Sequence, residues 1–254
     1  MSDSLKLESI LVSGIRIHVL KTDLLYDSVM DLVRGGGRQH LVTYVNCHTM
    51  NSATDDPVLK KAYSKSAITY CDGAGVVIGA KILGRHLPER MTSATFIHDF
   101  CKKWQDEGIR IFFLGGLPKV AQKACEHLKQ LYPKLEIAGF HHGYFQKNGT
   151  EEEAVISMIS KARPHILFIG FGTPLQEYWA IRNEERLNAN VIWPIGALVD
   201  YLSGQVSRCP EWMANHSLEW LFRFMIEPRR MFKRYIIGNP LFIYRILRER
   251  LKNP

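Results

Sequence analysis

The sequence predicts an α/β protein: a mostly parallel, Rossmann-like sheet flanked by helices, with an N-terminal β-hairpin and a C-terminal helical appendage. Three observations predict it. Short apolar runs without a polar face recur at 41–46, 67–71, 109–114, 135–140, 166–170 and 191–195, the pattern of parallel strands covered on both sides. Segments of helical period lie between them at 94–104, 120–131, 151–162 and 175–187, as crossover connections require. Most runs end in glycine-rich or polar punctuation: Asn46-Cys47-His48-Thr49, Asp72-Gly73, Gly115-Gly116, Gly170-Phe171-Gly172-Thr173-Pro174 and Gly196-Ala197. In an open α/β sheet these carboxyl ends share one edge, so residues distant in sequence converge there on a ligand.

In chain order, 9–20 reads as two short strands around Ser13-Gly14, a hairpin. Asp23 is placed to cap a helix through Leu24, Leu25, Val29, Leu32 and Val33, which Gly35-Gly36-Gly37 can stop in a left-handed turn. Asp55-Asp56-Pro57 reads as a helix cap on a surface turn. Pro174 suits the first turn of a helix whose free amides can receive a phosphate. Beyond Asp200 no strand fits, and three helices are expected at 212–226, 228–237 and 240–252, with Trp, Phe and Tyr interleaved among arginines. The expected division is an α/β core over 1–208 and a basic, aromatic appendage over 209–254.

Composition narrows the class. Of 254 residues, 46% are hydrophobic, enough for a proper core. The net charge of +8 is concentrated, with ten basic and four acidic residues from Arg208 onward, so the tail is the part expected to meet an anionic partner. No signal-peptide pattern and no apolar run of about 20 residues is found, so neither a leader nor a transmembrane helix is expected. Five widely spaced cysteines without a Cys-x-x-Cys pair suit a reducing cytosol rather than zinc or disulfides.

Several chemistries are disfavoured by the motifs. Phe113-Leu114-Gly115-Gly116-Leu117-Pro118 lacks the third glycine of a dinucleotide fingerprint, and no Gly-Lys-Ser/Thr occurs for a P-loop. No Asp-x-Asp is present to clamp a metal. The adjacent His141 and His142, if both in a strand, point to opposite faces and cannot share one ion. Cys71 reads as buried filler rather than a nucleophile. What remains is Asp72, a carboxylate just after a strand, followed by Gly73-Ala74-Gly75, where glycine lets a ligand approach the backbone. Arg90 can bind a phosphate or carboxylate in bidentate fashion, or simply form a surface salt bridge. Gln176, in the opening turn of a helix after Gly172, can hydrogen-bond a sugar hydroxyl or base edge. Its bland alternative is a capping arrangement.

The series Tyr44-Val45-Asn46, Asp72-Gly73-Ala74-Gly75, Glu89-Arg90-Met91-Thr92, Phe113-Leu114-Gly115-Gly116, His142-Gly143-Tyr144-Phe145, Gly172-Thr173-Pro174-Leu175-Gln176-Glu177, Gly196-Ala197-Leu198-Val199-Asp200, and Leu218-Glu219-Trp220 through Glu227-Pro228-Arg229-Arg230 to Arg234-Tyr235 resembles the WecG/TagA/CpsF family of bacterial glycosyltransferases, glycosyltransferase family 26. The resemblance implies an inverting, metal-independent enzyme with no cofactor, moving a hexose or N-acetylhexosamine from a UDP-sugar to a polyprenyl-diphosphate-linked saccharide. It also implies a peripheral position on the inner face of the cell membrane. Matched position by position, Asp72 is the catalytic base, and Asn46, Arg90 and Gln176 belong to the substrate pocket. Gly73 and Gly172 are expected beside bound substrate, and Arg223 and Arg230 are the appendage arginines that hold the diphosphate.

Two departures stand out. The family's Thr-x-Asn is here Tyr44-Val45-Asn46, with Thr43 one place early and its role open. Arg-x-Thr-Gly is here Arg90-Met91-Thr92-Ser93, which leaves the donor sugar open among N-acetylmannosamine, its uronic acid, glucose and other hexoses. The appendage's mixture of arginine and aromatics suits a bilayer interface, with a helical cap or a subunit interface as the other readings. Alternative functions are a non-catalytic sugar-nucleotide-binding module and a nucleic-acid-binding protein, though nothing in the sheet region calls for nucleic acid.

Overall fold

The computed structural model describes residues 7–36 and 39–252. A hairpin of β1 (Ser9–Val12) and β2 (Ile15–His18) opens the chain, followed by α1 (Thr22–Gly35), β3 (His40–Val45), α2 (Cys47–Thr54), α3 (Pro57–Lys65) and β4 (Ile68–Cys71). Then come α4 (Ala74–Ile82), α5 (Ser93–Glu107), β5 (Arg110–Gly115), α6 (Val120–Leu131), β6 (Glu136–His141), α7 (Thr150–Ala162) and β7 (Ile166–Gly170). The last core elements are α8 (Leu175–Asn183), β8 (Val191–Pro194) and α9 (Leu198–Leu202). The C-terminal helices are α10 (Glu211–Asn215), α11 (Glu219–Ile226), α12 (Pro228–Met231), a π-helical stretch Phe232–Ile237, and α13 (Gly238–Lys252).

The six-stranded sheet has the order β4-β3-β8-β7-β5-β6 and every pairing in it is parallel. Alternation along the strands supplies two cores. Phe113, Phe168 and Trp193 are register partners facing one side, with ring centroids 5.2 and 5.5 Å apart. Their neighbours Phe112, Leu167 and Ile192 face the other. Each such buried side chain contributes about 1.5–3 kcal/mol by leaving water. Because both faces are filled, ligand access is left to the carboxyl edge, where the ends of β3, β4, β7 and β8 lie side by side.

The predicted strands and the long helices between them are present. Some local expectations are corrected. The N-cap of α1 is Lys21, and Asp23 sits inside its first turn, where a carboxylate complements the dipole instead of capping. Gly35 and Gly36 end that helix, and Gly37 lies outside the described residues. Asn46 is not a strand residue: it caps α2, its Oδ1 accepting from the Thr49 amide at 3.1 Å while Thr49 Oγ1 accepts from the Asn46 amide at 2.8 Å. The short helices α2, α4 and α9 were not expected, since five to nine residues carry little periodicity. Asp56 caps α3 as anticipated.

Three further expectations fail. His141 is the last residue of β6 and His142 has already left it, so strand alternation does not apply, and the two rings lie 4.3 Å apart rather than on opposite faces. The stretch expected as one helix from 212 to 226 is broken at Ser217, whose φ of +61° is left-handed, and Pro240 lies inside α13 instead of starting it. Proline removes a backbone donor and crowds the preceding turn, and the widened π-helical turns lie just upstream of it.

Candidate active site

Asp72 continues the ladder one residue beyond β4, its amide donating to the Val45 carbonyl at 2.8 Å, so its carboxylate is carried on the sheet itself. The next residue, Gly73, has a φ of +128° and starts α4, a turn that an L side chain rarely adopts. Asn46 Nδ2 donates to Asp72 Oδ2 at 3.4 Å, and the capping box on α2 holds that asparagine in place. Met91 N donates to the Cys71 carbonyl at 2.7 Å, which sets Arg90 and Thr92 alongside.

These groups open onto a cleft of about 1280 Å³. The sheet edge supplies Asn46, Asp72, Gly73, Arg90 and Gly172, and the C-terminal helices supply Glu219, Trp220, Arg223, Arg230 and Arg234 opposite them. Asp72 is half-buried, its carboxylate facing the cleft. Burial pushes its pKa up to about 6, the charge of Glu219 pushes the same way, and the Asn46 hydrogen bond, Arg234 and Thr92 oppose them. A carboxylate so poised is ionised at neutral pH and still a stronger base than an exposed aspartate. Burial, with Asp72 adding to it, drives the Cys71 thiol far up, which leaves it inert as a nucleophile.

Gln176 is fully buried and does not line the cleft. Its Oε1 accepts from the Gly196 amide at 3.1 Å and its Nε2 donates to Glu177 Oε1 at 2.9 Å and to the Tyr44 hydroxyl at 3.4 Å. It therefore ties the loop after β7 to the loop after β8 from behind. Glu177 is equally buried, with Oε2 unpartnered, and burial raises its pKa. The Tyr44 hydroxyl reaches so close to Gly196 that a Cβ there would lie 2.8 Å from it. Thr43, whose role was open, is buried in the sheet against Ser66 and Thr69 at 2.9 and 3.0 Å.

The cations differ in how far they are engaged. Arg90 donates to Glu219 Oε2 at 2.7 Å and to the Ala214 carbonyl. Arg223 lies over the Tyr201 ring at 5.4 Å and pairs with Glu227 at 3.6 Å, and Arg230 shares that same glutamate at 3.2 Å. Among the described residues Arg234 has no ion-pair partner, and its Nε is buried without a hydrogen bond. Its charge is felt at Asp72, Tyr44, Cys47 and His48 alike. His48, also on the cleft wall, is held neutral, its pKa lowered to about 4 by burial and then by Arg234.

Arg234, His48 and Glu219 line the cleft without having been given a role from the sequence. All three stand in stretches it marked, His48 in the punctuation after β3 and Glu219 and Arg234 in the motif series, but no local feature separates them from their neighbours. Among the described residues no group of three or more His, Cys, Asp or Glu is arranged to hold a metal ion, and no helix is long and apolar enough to cross a membrane.

The sequence model of the glycosyl transferase WecG/TagA/CpsF family matches residues 10–254. Proteins of Staphylococcus aureus strains NCTC 8325, COL and MW2 are each 26% identical to this chain over 211 residues, covering 83% of it and 81% of their own length. Each is named N-acetylglucosaminyldiphosphoundecaprenol N-acetyl-beta-D-mannosaminyltransferase.

Proposed function

The chain belongs to the WecG/TagA/CpsF family and is a glycosyltransferase, and on that premise we propose that it transfers a hexose or N-acetylhexosamine from a UDP-sugar to a polyprenyl-diphosphate-linked saccharide, with inversion and without a metal. The observation that carries the reading is the placement of Asp72: a half-buried carboxylate of raised basicity, facing a cleft whose opposite wall is cationic. The names of the Staphylococcus aureus relatives make N-acetylmannosamine the first donor to try and an N-acetylglucosaminyl-diphospholipid the first acceptor.

In this mechanism Asp72 takes the proton of the acceptor hydroxyl as that oxygen attacks the anomeric carbon. The bond from the anomeric carbon to the diphosphate breaks on the opposite face, and the electron pair leaves with UDP. Its negative charge is met by Arg234, and by Arg223 and Arg230 once substrate competes with Glu227 for them. Such preorganised charge is worth a few kcal/mol per interaction, on the order of 10²-fold or more in rate. Gln176 acts indirectly, keeping the loops after β7 and β8 in register under the substrate.

The C-terminal helices also support a peripheral position on the inner membrane face. Trp212, Phe232, Ile237 and Tyr244 are each at least half exposed, beside Arg229, Lys233 and Arg248. Aromatics at headgroup level and basic residues near anionic lipid favour such a surface by about 1 kcal/mol per charge.

Incubation of the protein with UDP-N-acetylmannosamine, its uronic acid or UDP-glucose, with an undecaprenyl-diphosphate-linked N-acetylglucosamine acceptor, tests the activity. Glycolipid extension with stoichiometric UDP release is expected for one donor. Donor binding without transfer would instead identify a binding module.

A further inference from the structure

One ion pair joins the C-terminal helices to the segment beside Asp72. Arg90 Nη1 donates to Glu219 Oε2 at 2.7 Å, and Arg90 Nη2 donates to the Ala214 carbonyl, so α10 and the start of α11 are both held by one guanidinium. Both partners are largely sheltered, at 24% and 28% side-chain exposure. A sheltered pair loses hydration that its attraction only partly offsets, so stability alone is a weak reason for it.

Glu219 is also the one C-terminal carboxylate that lines the cleft among the described residues. Glu227 is spent on Arg223 and Arg230, and Glu249 on Arg85 and Ser13. Three carboxylates line the cavity, Asp55, Asp72 and Glu219; Asp55 is paired with Arg245, so Glu219 is the one that α11 brings to the side of Asp72. The other groups facing Asp72 are the hydrogen-bond donors Asn46 and Thr92, the cation Arg234, and the neutral Tyr44, Tyr70, Tyr201 and Cys71.

We propose that Glu219 is a positioning residue for the transfer reaction: carried in by α11, it holds Arg90 against the cleft wall and sets a second negative charge beside Asp72, so that the base is fully competent only while the C-terminal helices are seated. The proposal rests on Asp72 being the base. A neighbouring anion disfavours the ionised carboxylate and so makes it the better proton acceptor, whereas the free Arg90 left by withdrawal of Glu219 would do the reverse. Every polar partner of Asp72 other than Glu219 acts to weaken the base. Seating of the helices thereby assembles the cationic wall and strengthens the base in one movement.

The test is the titration of the Asp72 carboxyl, followed by ¹³C NMR of aspartate-labelled full-length protein and assigned by its loss in Asp72→Asn. The wild type is expected to titrate near 6, and Glu219→Gln, which can still accept from Arg90, about half to one unit lower. The acid limb of the transfer rate, measured with UDP-N-acetylmannosamine and the undecaprenyl-linked acceptor, should move down with it, and the rate at pH 8 should fall severalfold.

Glu219→Asp keeps the charge and must titrate nearer to the wild type than Glu219→Gln does, which guards against a merely loosened fold. An unmoved titration in Glu219→Gln, or a reversed order of the two variants, overturns the proposal. Should the titration move as expected while Asp72→Asn retains full transfer, the coupling stands and the assignment of the base fails.

Discussion

The two walls of the cleft are built on opposite principles. On the sheet side each polar group is buttressed from behind: Asn46 by its capping box, Asp72 by the strand ladder and Asn46, and Gly196 by the buried Gln176. On the helical side α11 has no buried residue, and that wall contributes the cations Arg223, Arg230 and Arg234, the carboxylate Glu219 and the partly exposed Trp220. The largest anchor of that wall is α13, with buried Met213 and Met231 and the Arg90 contacts to Glu219 and Ala214 as smaller ties. Phe242 and Ile246 are buried in the core, with Phe242 so close to Gly79 that a Cβ there would meet its ring at 2.9 Å. Asn51 and Asp55 grip the same helix through Gly238 and Arg245 at 2.7 and 2.9 Å. A rigid wall suits a group that must meet a reacting atom, and a lightly held wall suits the admission of a large substrate such as the lipid-linked acceptor proposed above.

The largest effect that would sharpen this contrast lies on the rigid wall. Asp72→Asn should lower the transfer rate by about 10²- to 10⁴-fold while donor binding persists, and near-normal turnover would remove the base from that wall. Next is the anchor. Phe242→Ala should cost about 3–5 kcal/mol in denaturant unfolding, and a cost below 1 kcal/mol would show that α13 is held no better than α11.

A smaller effect is expected for Arg234→Ala: about 10- to 100-fold in kcat/KM from the lost charge on the leaving diphosphate, with the melting temperature little changed, because the lost stacking on Tyr235 is offset by removal of a buried Nε that has no hydrogen bond. Trp212→Ala, at a ring that is 61% exposed, should change stability by no more than about 0.5 kcal/mol and reduce co-sedimentation with anionic vesicles severalfold. Unaltered vesicle binding would point to the helical-cap or subunit-interface role of that face.

The smallest effect concerns stability against pH. Because the folded-state pKa of Asp72 lies above its unfolded value, its ionisation costs stability, a cost absent below about pH 4 and complete above about pH 6. Asp72→Asn should therefore be more stable than the wild type at pH 8, by about 1 kcal/mol after allowance for solvent in the cleft. That advantage should fade as the pH falls toward 4, as melting curves across the range can check.

The arrangement of strands was legible because it depends on local pattern. Runs such as 109–114 and 166–170 lack a polar face, and their glycine-rich ends mark the edge where ligands bind. Asp72, Asn46, Gly73 and Arg90 were legible for a related reason, since each follows a strand end or lies in a motif the family shares. The short helices after β3 and β4 were not, because too few residues carry a period, and the break at Ser217 was not, because a left-handed serine leaves no compositional trace.

The sequence by itself determined the sheet, its functional edge and the carboxylate standing there, since chain direction and side-chain alternation decide these without reference to anything distant. Tertiary structure alone decided which charges face one another. It withdrew Gln176 behind the cleft, paired Arg223 and Arg230 with Glu227, left Arg234 without an ion pair among the described residues, and carried Glu219 across 129 residues of sequence to Arg90. Electrostatic interactions act through space and depend on burial, so the basicity of Asp72 is a property of the folded cleft and of no stretch of the chain alone.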